Sequence, residues 1–195
     1  MQSPLFQSSH SNSVTIIDGV TDSVITTIPV GYNPTALVWN SINNKVYCAN
    51  ASSSPKEITV IDGLGDSVLK RITYEYPTGP LLDLAWNSTN NKVYCANFGG
   101  VTIIDSETDS VMTSIFLGVG FRNLIWNSIN NKIYCANYDS AGVIIIDGAN
   151  DSLITTIPVG NGPAAFAWNS IQNRTYVASY LSSSISVIRD EIPGD

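Results

Sequence analysis

Apolar residues along this chain come in short runs closed by Asp-, Asn- and Ser-rich turns, and no stretch carries a helical period. The first recognisable run is Val14-Thr15-Ile16-Ile17, followed by a turn at Asp18-Gly19 and a second run from Ser23 to Pro29. Runs that are short, rich in Val, Ile and Thr, and bounded by turn residues read as strands. The same pair recurs at 58–73, 101–116 and 143–158. Two further strands lie between the pairs. One carries a tryptophan at its end (35–40, 81–87, 122–127 and 164–169), and the other a tyrosine (45–50, 92–97, 132–137 and 174–179). Tracts such as Ser41-Ile42-Asn43-Asn44 supply the hairpin between them, because Asn tolerates positive φ at low cost. Val143-Ile144-Ile145-Ile146 and Val46-Tyr47-Cys48-Ala49 are apolar at consecutive positions. That pattern predicts an all-β chain whose sheets are buried on both faces.

The strands belong to a repeat. WNSINNKVYCAN begins at Trp39, WNSTNNKVYCAN at Trp86, WNSINNKIYCAN at Trp126 and a weakened WNSIQNRTYVAS at Trp168, with spacings of 47, 40 and 42 residues. The runs ending in Ile-Asp recur at Asp18, Asp62, Asp105 and Asp147, and a degenerate copy ends at Arg189. A period in this range signals a repeat architecture. Four-stranded sheets stacked radially, each between two neighbours, give a β-propeller. A β-sandwich would leave one face of each sheet wet and needs no such period. With the tryptophan strand as A, the tyrosine strand as B, the Ile-Asp strand as C and the last as D, the chain reads CD, ABCD three times, then ABC. Residues 1–12 are expected to be a tail or the remnant of a strand, 13–190 the repeats (13–33, 34–79, 80–120, 121–162, 163–190), and 191–195 a tail. About four repeats leave three arrangements open. The terminal A and B strands could pair with the starting C and D to close four blades. An open arc could be completed by a second copy into about eight blades. The chain could also be a segment of a longer protein. The strand from Ser184 to Arg189 is surplus to the four-bladed ring, and unpaired edges recruit partners. A homo-oligomer formed through edge strands, most simply a dimer, is therefore expected.

Composition narrows the partners. Nine Lys plus Arg against sixteen Asp plus Glu give a net charge of -7, without any basic cluster, which disfavours nucleic acid and anionic membrane. No apolar run approaches the ~18 residues of a membrane helix. The opening MQSPLFQSSHSNS lacks a positive n-region followed by an apolar stretch, so no signal peptide is expected within it. Cys48, Cys95 and Cys135 occupy one equivalent slot in three repeats, and Val177 fills it in the fourth. A slot that accepts Val is an apolar packing slot, where free Cys behaves as a small hydrophobe.

Candidate chemistry is sparse. The only histidine, His10, lies outside the repeats, so Ser-His-Asp and Cys-His nucleophile arrangements are not available within them. A glycosidase carboxylate pair such as Glu75 with Asp83 has nothing to place it across a common pocket. No catalysis, cofactor or metal is expected. The Asp pairs at 18 and 22, 62 and 66, 105 and 109, and 147 and 151 could hold calcium. Asp habitually caps its own turn, however, and these turns offer few further oxygens. The four tryptophans are the same in every copy, which favours packing between blades over a ring of binding faces. The copies differ in the D-to-A and B-to-C connections, which emerge on one face. Tyr32, Tyr76, Phe98, Phe121, Arg122, Tyr138, Asp139 and Tyr180 fall there. Variable loops on a rigid scaffold are where function concentrates. Aromatics with an occasional charge suit carbohydrate or protein ligands, against the alternative that the loops bind nothing.

The units VTIIDGVTDSVITTIPVGYNPTALVWNSINNKVYCAN and VIIIDGANDSLITTIPVGNGPAAFAWNSIQNRTYVAS resemble the YVTN β-propeller repeat, also called the surface-layer or YncE-like repeat. The likeness covers 13–189, with Ile28-Pro29-Val30-Gly31 and Pro34 matching closely, as do Ile157-Pro158-Val159-Gly160 and Pro163. The middle copies depart, with Tyr74-Glu75-Tyr76-Pro77 and Phe116-Leu117-Gly118-Val119 in that place, and Tyr-Cys-Ala-Asn stands where the family has Tyr-Val-x-Asn. The resemblance implies a secreted or cell-surface scaffold that binds a ligand; the alternative reading is a purely structural, self-assembling repeat array without one. It carries over no catalytic residue.

Overall fold

The computed structural model describes residues 5–8, 12–51, 56–74, 79–118 and 120–190. Among the described residues, eighteen strands form five antiparallel sheets. The first holds β1 (Leu5–Ser8), β2 (Ser13–Ile17) and β3 (Val24–Pro29), and the second β4 (Pro34–Asn40), β5 (Lys45–Asn50), β6 (Lys56–Asp62) and β7 (Ser67–Tyr74). The third holds β8 (Leu81–Asn87), β9 (Lys92–Asn97), β10 (Gly100–Asp105) and β11 (Ser110–Phe116). The fourth holds β12 (Phe121–Asn127), β13 (Lys132–Asn137), β14 (Gly142–Asp147) and β15 (Leu153–Pro158). The last holds β16 (Pro163–Asn169), β17 (Arg174–Ser179) and β18 (Ser184–Arg189).

The sheets form an open arc. The four-bladed closure is thereby overturned: β2 and β3 take β1 as their third strand, while β16 and β17 take β18. The strand expected to be surplus has its place, because the first sheet supplies its own B strand from residues 5–8. Neighbouring sheets meet through the innermost strands, β4 against β8, β8 against β12 and β12 against β16. The outer strands β7, β11 and β15 are largely exposed.

Four apolar layers fill the gaps between the five sheets. Val14, Ile16, Val46 and Cys48 fill the first, Tyr47, Ile58, Val93 and Cys95 the second. Tyr94, Ile103, Ile133 and Cys135 fill the third, and Tyr134, Val143, Val177 and Ile188 the fourth. Consecutive residues of β5, β9 and β13 thus face opposite layers, which is why those strands read as continuously apolar. The three cysteines are free, fully buried and in separate layers, and burial pushes the thiols of Cys48 and Cys95 up to about 12. They pack; they do not converge.

Two interlocked turns and one open cleft

The ends of the sheets differ in character. At the end carrying the A–B and C–D turns, the second, third and fourth sheets are each bolted to the next by charged and amide groups. Lys45 Nζ and Tyr47 Oη both donate to Asp109, at 2.7 and 2.6 Å, joining β5 to the turn between β10 and β11. Lys92 and Tyr94 hold Asp151 in the same way at 2.6 Å each. Lys132 reaches Asp190 at 2.7 Å, and Tyr134 donates to the same carboxylate. Alternate positions on one strand put the Lys and the Tyr on one face. Asp109 and Asp151 sit in the left-handed region (φ 51° and 63°), a conformation Asp tolerates. Burial and the facing carboxylate push the phenols of Tyr47, Tyr94 and Tyr134 well above the usual tyrosine range.

An amide ladder runs beside the clamps. Asn40 donates to Asn91 at 2.6 Å, Asn87 to Asn131 at 2.7 Å and Asn127 to Asn173 at 2.7 Å. The same turn asparagines accept the indole N–H of the preceding tryptophan, Trp86 to Asn91 and Trp126 to Asn131. Trp86 and Trp126 are therefore half-buried hairpin braces with one edge on the apolar layers, whereas Trp39 remains 40% exposed.

The paired aspartates divide their labour. The first caps its own turn, as when Asp105 Oδ1 accepts Glu107 N–H at 2.8 Å and Asp147 Oδ1 accepts Ala149 N–H at 2.7 Å. The second, in the third and fourth sheets, is the clamp acceptor on the preceding sheet. The sequence carried this signal in the constant spacing of Lys-x-Tyr and Asp-x-x-x-Asp, but a pairing across sheets 62 residues apart is not visible from spacing alone. Asp190 was not foreseeable at all. It follows β18 directly, at the slot held by Ser106 in the third sheet, yet delivers its carboxylate to the same Lys and Tyr.

The opposite end carries the variable connections and an open cleft of about 500 Å³ between the third, fourth and fifth sheets. Pro80, Leu82, Phe98, Gly120, Arg122, Tyr138, Asp139 and Ala164 line it. Leu82, Arg122 and Ala164 occupy one position of β8, β12 and β16, where each strand skips a residue in its register with the neighbour. Such a bulge re-aims the extra side chain. The Arg122 guanidinium lies 3.8 Å from the Tyr138 ring centroid, a cation–π contact. Asp139 Oδ2 accepts Gly120 N–H at 3.2 Å. Glycine at 120 permits this approach, since a Cβ there would sit 2.8 Å from that oxygen and 3.1 Å from the Phe98 ring.

Of the residues expected on this face, the fold brings Phe98, Arg122, Tyr138 and Asp139 together. Phe121 is a correction. It begins β12 with its side chain wholly buried in the third apolar layer, one residue before the bulge that turns Arg122 outward. Tyr32 and Tyr180 are well exposed but do not border the cleft. Tyr76 and Glu75 lie outside the described residues. Asp83, beside Leu82, accepts from Asn123 Nδ2 at 2.5 Å and Leu124 N–H at 2.8 Å, while Asn123 Oδ1 accepts Phe166 N–H at 3.0 Å. Burial raises the Asp83 pKa against those hydrogen bonds. This relay ties three innermost strands together directly beneath the cleft-lining positions.

No family model matches the chain, and no curated protein matches it in sequence. Solved structures match its shape. A functionally unknown protein from Desulfotomaculum acetoxidans superposes with a TM-score of 0.81 at 12% identity, over 100% of this chain and 64% of its own. Sqt1 of Saccharomyces cerevisiae gives 0.79 at 12% identity, over 93% and 53%. The dihydro-heme d1 dehydrogenase NirN gives 0.77 at 16% identity, over 95% and 41%. At these identities the likeness establishes the β-propeller fold. This chain spans less than two thirds of the length of each of the three.

Proposed function

We propose that this chain is a non-catalytic binding scaffold of the YVTN-repeat type, secreted or held at the cell surface, that takes a polar, carbohydrate-sized ligand in the cleft of Phe98, Arg122, Tyr138 and Asp139. The observation that carries the reading is the convergence of those four residues, drawn from two different connections and a bulge, on one opening. A volume of about 500 Å³ falls within the usual range of small-ligand sites, about 300–1,000 Å³. The half-exposed Phe98 ring offers an apolar face, and Arg122 and Asp139 offer opposite charges around it. A pyranose ring matches that combination, with C–H groups toward Phe98 and hydroxyls toward the charges. Asp139 is the sole carboxylate among the lining residues, so the paired carboxylates of glycoside hydrolysis are not supplied there. The secreted or surface setting rests on the repeat resemblance.

A glycan array probed with the labelled chain and with the double variant Phe98→Ala/Arg122→Ala tests this. Capture of defined glycans by the wild type, reduced at least tenfold in the variant, is the expected result. Equal capture by both would place the site elsewhere. Capture of none would turn the reading toward a protein ligand or a purely structural array.

A further inference from the structure

The clamp between sheets is made three times inside this molecule, and half of a fourth is left open at each end of the arc. On β17 the Lys and Tyr slots hold Arg174 and Tyr176, neither of which has a partner among the described residues. On the first sheet Asp22 lies exposed at φ 55°, the left-handed conformation of the clamped Asp109 and Asp151, and its carboxylate has no partner among the described residues. The apolar surroundings are open in the same way. Ile185 is 70% and Val187 44% exposed, whereas Val101 and Ile103, their counterparts in the third sheet, are fully buried under the fourth. Tyr176 is half-buried where Tyr47, Tyr94 and Tyr134 are wholly buried. Across the arc, Val24 of the first sheet is 62% exposed, while its counterpart Val68 packs against an apolar layer.

Charge agrees with shape. Arg174 and its cross-strand neighbour Arg189 mark the clamp end of the last sheet, and Asp18 and Asp22 the clamp end of the first. We propose that the outward face of β16–β18 seats the first sheet of a second copy of this chain, with Arg174 and Tyr176 closing on that copy's Asp22 as Lys92 and Tyr94 close on Asp151. The contact is head-to-tail, and each copy contributes half of the clamp. It differs from pairing through strand edges, because sheets stack face to face and no new ladder forms. A heterologous contact of this kind builds rings or open arrays. The inference is independent of what the cleft binds.

Light scattering on a sizing column over a hundredfold concentration range tests it, with the wild type, Val187→Glu, Asp22→Asn and an equimolar mixture of the two variants. Asn keeps the left-handed backbone at 22, and both sites are exposed, so circular dichroism and melting should match the wild type. Wild-type chains should associate with rising concentration, Val187→Glu should run as single chains, and Asp22→Asn should associate at least tenfold more weakly. The mixture should form pairs, because one variant keeps an intact β17 face and the other an intact Asp22. A single-chain mass for the wild type throughout would overturn the proposal. So would an undiminished oligomer in Val187→Glu, or a mixture that forms no pairs, which is the outcome of edge-strand pairing. If Val187→Glu fails to fold, Ile185→Lys probes the same face with the same expectations.

Discussion

The two ends of the sheets are built from the same strands and meet opposite demands. At the clamp end the three middle copies repeat the same residues, Lys and Tyr on the B strand, Asn in the hairpin, Asp in the C–D turn. There the polar groups are spent on one another across sheets. At the cleft end the copies diverge, and Arg122 and Phe98 are left facing solvent. Repetition therefore marks the joints of the array, and divergence marks the surface free to recognise something. An Asp in a repeated turn looks like a ligand site when one copy is read alone; its partner belongs to the next sheet.

That division can be broken first at the clamp. Asp109→Asn keeps the turn conformation but leaves Lys45 and Tyr47 without their carboxylate in a site where both ion-pair side chains are mostly buried. Removing one partner of such a pair should cost about 3 kcal/mol in urea unfolding. Asp66→Asn makes the same change in the same left-handed turn of the second sheet, where the first sheet's β1 brings Leu5 to the tyrosine register and Asp66 has no clamp among the described residues. It should cost about 0.5 kcal/mol or less. Equal losses would mean that the turns, and not the clamps, set the stability.

The cleft end should respond least. Arg122→Ala removes an exposed cation–π contact with Tyr138, a change of about 0.5 kcal/mol. Thermal melting within 2 °C of the wild type, alongside lost glycan capture, would sharpen the contrast; a melting loss comparable to that of Asp109→Asn would erase it.

Much of the fold was legible in the sequence because period, turn residues and doubly buried strands all point to stacked four-stranded sheets. The strand at Leu5–Ser8 was not, since four residues among polar neighbours carry too little pattern to separate a strand from a tail. The cleft was half legible. Loop variability led to Phe98, Arg122, Tyr138 and Asp139, but it also swept in Phe121, because a one-residue bulge decides which of two adjacent side chains turns inward. The clamps were least legible of all, although their residues are the most regular feature of the chain. Their partners lie one sheet apart, and Asp190 reaches its place from a different backbone position.

The most direct test of the account is a double-mutant cycle between Tyr94 and Asp151, measured by equilibrium unfolding in urea. Their side chains meet at 2.6 Å across two sheets, so Tyr94→Phe and Asp151→Asn should be coupled by about 1.5 kcal/mol, the worth of a hydrogen bond to a charged group. Additive losses, with coupling near zero, would contradict the claim that this contact joins the sheets.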